Sequence, residues 1–337
     1  MIESEWRIEK RMKNLIDPYG RKIDYLRVSI TDRCNLRCAY CVPGKGVELV
    51  PRHQVLRYEE IIEIAKIAIS CGIKRIRITG GDPLVKRDVV KLIGSLANIE
   101  GLEDLSLTTN GILLSKYARD LYSAGLKRIN IGCDTLDEVK FSKLTQGGDL
   151  KKVISGIDAA KQAGFSPIKL NVVLLKGINE DEVLDFALLA KDFPLIVRFI
   201  ELMPISPKKI FKEERFLSLI FAKNKLERLG TLRPTNSIPG AGPANYFEIK
   251  GFLGKFGLIP TMTDHFCSTC NRLRLTADGK LRPCLFSSFE IDLKEPLRSG
   301  ASFSKIKALF YKAAEAKEKE RNLRREDFGR VMSQIGG

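Results

Sequence analysis

Along the first two-thirds of the chain, short apolar or alternating runs give way repeatedly to longer stretches with apolar residues at helical spacing. Tyr25–Asp32, Arg75–Thr79, Leu105–Thr109, Arg128–Cys133, Ile168–Leu175 and Val197–Met203 are rich in Leu, Ile and Val and predict six strands. Glu59–Ser70 carries Ile62, Ala65 and Ile69 on one face and runs into Gly72, while Leu150–Ala163 runs into Gly164, so both predict helices closed by glycine. Strands that alternate with helices need crossovers, which lay helices over a parallel sheet. Six such units predict an α/β fold of the incomplete (βα)6 TIM-like barrel kind rather than a closed eight-stranded one. An open sheet covered on both sides satisfies the same alternation. From Pro204 the rhythm breaks into Pro-rich and Gly-rich connections, including Pro234 to Pro243, and divides the chain into a core, 1–204, and a smaller irregular region, 205–337. The stretch from Ser302 to Gln334 predicts a charged helix or helix pair. Its run from Lys312 to Arg325 is expected to form a solvated face without chemistry.

Composition adds constraints. With 337 residues, 44% of them hydrophobic and 29% charged, the chain suits one large domain with an appendage. No apolar run reaches the roughly 18 to 20 residues of a membrane helix. Met1 to Lys13 is charged and lacks the apolar stretch of a secretion signal, so a cytoplasmic location is expected. A net charge of +16 calls for an anionic partner, nucleic acid or a phosphorylated small molecule, unless it is only a lysine- and arginine-rich surface. Eight cysteines in such a chain point to metals or catalysis rather than to disulfides.

Six of those cysteines fall into two groups. Cys34-Asn-Leu-Arg-Cys38-Ala-Tyr40-Cys41 follows the first strand, at the end of a barrel strand where active sites gather. Three thiolates on so short a loop can hold three irons of a [4Fe–4S] cluster and leave the fourth open to a small molecule. A structural zinc would want four ligands, and the chain has only two histidines, His53 and His265. The loop resembles the CxxxCxφC signature of the radical S-adenosylmethionine (SAM) superfamily. In that signature the aromatic residue, here Tyr40, lies against the SAM adenine. Gly80-Gly81-Asp82-Pro83, after the second strand, resembles the superfamily's GGE motif for the SAM amino group, with Asp82 one methylene shorter than the usual Glu.

The second group, Cys267-Ser-Thr-Cys270 with Cys284, again supplies three thiols, so three plus three fits two clusters better than any zinc arrangement. Cys71 and Cys133 are left over, and Cys71 reads as a buried small apolar residue. In Asn271-Arg272-Leu273-Arg274 the alternate arginines of an extended segment would point to one side, as forked donors for phosphate or as plain surface charge.

Asp17-Pro-Tyr-Gly-Arg21, Tyr25-Leu-Arg27-Val-Ser-Ile-Thr-Asp-Arg33-Cys34, the Gly81 turn, Arg198-Phe-Ile-Glu-Leu-Met203-Pro and Cys267-Ser-Thr-Cys270-Asn-Arg-Leu-Arg274 together resemble the GTP 3′,8-cyclase family, molybdenum-cofactor biosynthesis protein A. The resemblance runs from about Asp17 to Gly337. It implies an incomplete barrel whose mouth the C-terminal region fills, with two [4Fe–4S] clusters facing one cavity. Cys34, Cys38 and Cys41 would hold the cluster that binds SAM, and Cys267, Cys270 and Cys284 the other. SAM would meet Tyr40, Gly81, Asp82, Gly132 and Met203; Gly132 stands where many members have Ser, which leaves only a backbone contact. GTP would meet Arg27, Arg77, Thr108, Lys169, Arg198, Arg272, Leu273 and Arg274, with Arg272, Arg274, Gly336 and Gly337 serving the reaction itself. The resemblance also implies an electron donor, a cyclic pyranopterin monophosphate synthase downstream and a homodimer, with neither nucleic acid nor membrane as partner. Two other functions compete. A radical SAM peptide-modifying enzyme would carry more cysteines, and a tRNA-modifying or RNA-binding metalloprotein would interleave basic and aromatic residues.

Overall fold

The computed structural model describes residues 14–42, 46–205, 213–236, 238, 240, 242–321 and 330–336. Residues 1–13, Gly337 and the end of the basic run, 322–325, on which expectations above bear, lie outside the described residues. The strands that matter here are β1 (Tyr25–Ser29), β2 (Arg75–Thr79), β3 (Asp104–Thr109), β4 (Arg128–Gly132), β5 (Ile168–Leu174), β6 (Leu195–Glu201), β7 (Asn245–Glu248), β8 (Lys255–Ile259), β9 (Arg272–Leu275) and β10 (Lys280–Arg282). The first six occupy the six apolar runs of the sequence, and helices Tyr58–Ser70 and Leu150–Ala163 lie where periodicity places them. The fold is mixed α/β with parallel strands, that of an incomplete rather than a closed TIM-like barrel. Among the described residues no helix is long and apolar enough to cross a membrane.

The chain forms two compact units. The first comprises 1–35, 46–106 and 267–337, and the second 36–45 and 107–266, so the division runs through β3. In the first unit β1 pairs in parallel with β2 on one side and with β9 on the other, and β9 turns back on β10 as an antiparallel neighbour. In the second, β4, β5 and β6 pair in parallel, β8 adds a further parallel strand beside β6, and β7 pairs antiparallel with β8. The region beyond Pro204, which the sequence leaves irregular, therefore contributes sheet to each unit. Apart from Arg272–Arg274, already read as extended, its strands escape notice because no regular strand-then-helix alternation marks them.

The core of each unit is aliphatic. Ile61, Ile64, Ile67 and Ala68 of helix Tyr58–Ser70 are buried, as are Leu26, Val28, Ile76 and Ile78 of β1 and β2. Cys71, just past that helix, is fully buried, and burial pushes its thiol up to about 11, as for an inert apolar side chain. Helix Tyr58–Ser70 is also tied to the C-terminal region. Buried Glu60 accepts from Arg298 Nε at 2.7 Å and from Nη2 at 3.1 Å, and from the Arg57 backbone N–H at 2.7 Å. Burial alone would raise this carboxyl, but the bonds from Arg298 and Arg57 outweigh it and hold it at about 2.

With a folded value below the ordinary carboxylate range, ionised Glu60 stabilises the fold above about pH 4.5, and that contribution fades as pH falls towards 2. Glu60→Gln is expected to lower unfolding free energy by about 2 kcal/mol at pH 7 and by much less at pH 3. Urea denaturation at the two pH values checks this, and an equal loss at both would refute it.

Candidate functional site

Parallel register places the basic residues of the first unit side by side. Arg274 of β9 lies opposite Arg27 of β1, and Arg27 opposite Arg77 of β2, so the three share one row across adjacent strands. All three are buried or nearly so; Arg77 reaches Ser106 Oγ at 3.3 Å and lies over the Tyr25 ring at 5.4 Å. Burial, followed by the charges of Arg274 and Arg77, brings Arg27 well below its usual value, and burial with Arg272 nearby brings Arg274 down to about 9. Crowded, dehydrated positive charge of this kind favours a polyanion. Arg272 alternates with Arg274 on the same strand, whereas Leu273 between them is fully buried and has only its backbone to offer. Arg274 Nη1 donates to the carbonyl of Gly336 at 2.8 Å. Gly336 has φ +87°, and a Cβ there would fall 2.8 Å from Thr79 Cγ2 and 2.9 Å from Ser29 Cβ. The terminal segment thus reaches the C-terminal ends of β1 and β2, where no side chain would fit.

The Gly80-Gly81 turn grips the segment that leads to Cys34. Gly81 N–H donates to the Thr31 carbonyl at 2.7 Å and Asp82 N–H to the Arg33 carbonyl at 2.9 Å. A Cβ at Gly81 would lie 2.4 Å from the Arg33 oxygen, so only glycine permits this approach. Asp82 is buried, and its Oδ1 accepts from Leu84 N–H at 2.9 Å, capping its own turn.

Cys267, Cys270 and Cys284 line one concavity with Arg21, Phe286, Lys317 and Arg321. The thiols stand around its wall, an arrangement that suits a cluster offering one iron to each sulfur. Burial pushes the Cys267 thiol up. For Cys270 burial acts the same way, but the charges of Arg272 and Lys317 and a hydrogen bond from Arg272 outweigh it and bring the thiol down to about 6, primed for metal as thiolate. Lys317 belongs to the run expected to be a solvated face. It is instead 5% exposed, because backbone carbonyls receive its ammonium.

In the second unit, Cys41 N–H donates to the Cys38 carbonyl at 2.9 Å, and between them Tyr40 packs on Leu144, Leu175 and Leu202. Its hydroxyl donates to Asp134 Oδ2 at 2.5 Å, and Asp134 Oδ1 accepts from Val173 N–H at 2.8 Å. Burial pushes Asp134 up to about 6 against both bonds. Arg198 is buried and held in a fork: Nε donates to Asn171 Oδ1 at 2.8 Å and Nη2 to Asn130 Oδ1 at 2.6 Å, both on neighbouring strands. Buried Lys169 lies 5.5 Å over the Tyr246 ring. Thr108 Oγ1 is buried without a hydrogen-bond partner, an orphan polar atom that a ligand would satisfy. Gly132 has open space where a Cβ would stand, its nearest neighbour 3.9 Å away, and half-buried Met203 follows β6. Asn130, Asn171, Asp134 and Tyr246 were missed in the sequence. The asparagines could have been noticed as polar residues inside apolar strand runs, whereas nothing local marks Asp134 or Tyr246.

Residues 28–190 match the model of the radical SAM superfamily, and 195–323 that of Molybdenum Cofactor Synthesis C. The chain is 50% identical over 323 residues to the GTP 3′,8-cyclase of Thermodesulfovibrio yellowstonii, covering 95% of this chain and 99% of that one. It is 48% identical over 327 residues to the GTP 3′,8-cyclase of Heliobacterium modesticaldum, covering 96% and 100%. Among solved structures it is similar in fold to Streptococcus suis SuiB bound to S-adenosylmethionine, with TM-score 0.59 and 12% identity over 90% of this chain and 70% of that one. It is likewise similar to native anSMEcpe with bound AdoMet, with TM-score 0.57 and 15% identity over 88% and 81%.

The folded value of Asp134 exceeds its unfolded one of about 3.9, so this group favours the fold most below pH 4 and loses that contribution as pH rises to 6 and beyond. Asp134→Asn is expected to remove the slope, so that the variant gains about 2 kcal/mol on the wild type between pH 4 and 7. Denaturation curves across that range check it; parallel profiles would contradict it.

Proposed function

The chain belongs to the GTP 3′,8-cyclase family of radical SAM enzymes, and we infer from its residues how it carries out that reaction. It is a cyclase that acts on GTP in the first step of molybdenum cofactor biosynthesis, with SAM and two [4Fe–4S] clusters as its cofactors. The observation that carries this is identity of about half over nearly the full length of both chains.

We assign the SAM-binding cluster to Cys34, Cys38 and Cys41 and the second to Cys267, Cys270 and Cys284, with 1–204 as the radical SAM core and 205–337 as the region of the second cluster. Each donor set is three thiols, which by chemistry would ligate three irons of a [4Fe–4S] cluster and leave the fourth open. The SAM-binding cluster, when bound, would supply the electron that cleaves SAM, so that the 5′-deoxyadenosyl group could take the C3′ hydrogen of GTP; closing C3′ onto C8 to give 3′,8-cyclo-7,8-dihydro-GTP would then consume one further electron, from the external donor, and one proton. The protein's own task is to hold, orient and exclude water. Tyr40, pinned by Asp134 and its leucine bed, offers a fixed face to the adenine. Gly81, Asp82, Gly132 and Met203 complete the SAM contacts. The row Arg77, Arg27 and Arg274, with Arg272, receives the triphosphate, which relieves the crowding of charge there. Lys169, the forked Arg198, the Thr108 hydroxyl and the Leu273 backbone add further contacts to GTP. Gly336, bonded to Arg274, and Gly337 position the radical intermediate. An external electron donor, a cyclic pyranopterin monophosphate synthase taking the product, a homodimeric assembly and a cytoplasmic setting complete this reading.

Reduced, reconstituted enzyme with SAM and GTP is expected to form 5′-deoxyadenosine faster than with SAM alone and to yield the cyclised nucleotide. Formation indifferent to GTP would overturn the reading. Replacing Cys267, Cys270 and Cys284 together by Ala is expected to halve bound iron while SAM still binds. Stoichiometric zinc in the native protein would contradict two clusters. Arg274→Ala is expected to keep its iron, lose GTP affinity and cyclisation, and retain slow uncoupled cleavage of SAM; unchanged GTP turnover would count against the arginine row. Deleting Gly336 and Gly337 is expected to spare iron and GTP binding but abolish the cyclised product, which mass spectrometry would reveal.

A further inference from the structure

Lys317 follows helix Phe303–Glu315, where its N–H donates to the Ala314 carbonyl, and its side chain turns inward rather than to solvent. Its Nζ donates to the Arg272 carbonyl at 2.9 Å and to the Pro283 carbonyl at 3.0 Å, and stands 3.8 Å from Cys270 Sγ. Arg272 comes two residues after Cys270, and Pro283 immediately precedes Cys284. One ammonium therefore bridges the two chain segments that carry these cysteines, and its three N–H donors have three partners. Arg21 performs a similar task for the third thiol, donating to the Cys267 carbonyl at 2.6 Å and to the backbone of Glu318 and Lys319 at 2.7 and 3.1 Å. An ammonium is strongly hydrated, and placing one in a nearly dry position requires that every donor be satisfied. Here the partners that satisfy it are the frame of the second cysteine group.

A cation that donates to a ligating sulfur has a further effect. Adding an electron to an iron–sulfur cluster adds negative charge, so a nearby ammonium stabilises the reduced form and raises the potential. We propose that Lys317 is a positioning residue for the second cluster: it sets the separation of Cys270 and Cys284 and, through the Cys270 sulfur, raises that cluster's reduction potential. This rests on the assignment of Cys267, Cys270 and Cys284 as its ligands.

The experiment uses the full chain, reconstituted anaerobically with iron and sulfide, with Cys34→Ala, Cys38→Ala and Cys41→Ala removing the first cluster so that only the second is read. In this background Lys317→Met, similar in length and uncharged, is compared with Lys317→Arg and with Lys317 itself. Bound iron is counted, and the midpoint potential is taken from an electron paramagnetic resonance titration. The expected result for Lys317→Met is a potential shifted downward, or iron lost from the site, with Lys317→Arg restoring the affected quantity at least in part. Iron and potential both unchanged in Lys317→Met would overturn the role of Lys317, as would an effect that arginine reproduces in full. Absence of iron from the background chain carrying Lys317 would instead sink the second cluster itself.

Discussion

The structure depends on a parallel register that sets arginine against arginine. β9, β1 and β2 align Arg274, Arg27 and Arg77 in one row, and burial makes each of these charges unfavourable to its neighbours. No fold would gather guanidiniums in this way for stability alone, since each is dehydrated beside a like charge. The surrounding sheet and aliphatic core offset that cost. The +16 net charge is thus partly concentrated in this row and only partly spread over a solvated surface.

Within each unit the chain uses backbone as much as side chains. The Gly80-Gly81 turn approaches the Thr31 and Arg33 carbonyls so closely that a methyl group would collide, and Gly336 meets Ser29 and Thr79 under the same restriction. Rigid groups surround the flexible ones: Asn130 and Asn171 fix Arg198, Asp134 and three leucines fix Tyr40, and Lys317 and Arg21 fix the turns that carry the second cysteine group. Groups held in this way lose little further freedom when a ligand binds.

Much of this was legible in the sequence. The six strands announce themselves as apolar or alternating runs, with Leu, Ile and Val recurring at the spacing of a strand. The run drawn as Tyr25–Asp32 ends as a strand at Ser29, because the chain beyond it turns so that the Thr31 carbonyl receives the glycine turn. Cysteine spacing carried the chemistry, since three thiols on a short loop leave few alternatives. β8 was hidden, and β9, though legible as an extended segment, gave no sign of its partner, because each completes a sheet with a strand distant in sequence. Lys317 was misread because a run of charge looks the same whether its partners are water or carbonyls, and only tertiary structure distinguishes them.

The pairing of β9 with β1 also bears on how the molecule comes to be made. Arg272 meets Tyr25 across about 250 residues of intervening chain, so one edge of β1 waits open while nearly all of the protein is synthesised. An apolar strand with unpaired amides is a template for the wrong partner, including the same strand of another nascent chain. Yield in a foreign host should therefore be governed by temperature and chaperone supply during synthesis more than by the stability of the finished fold.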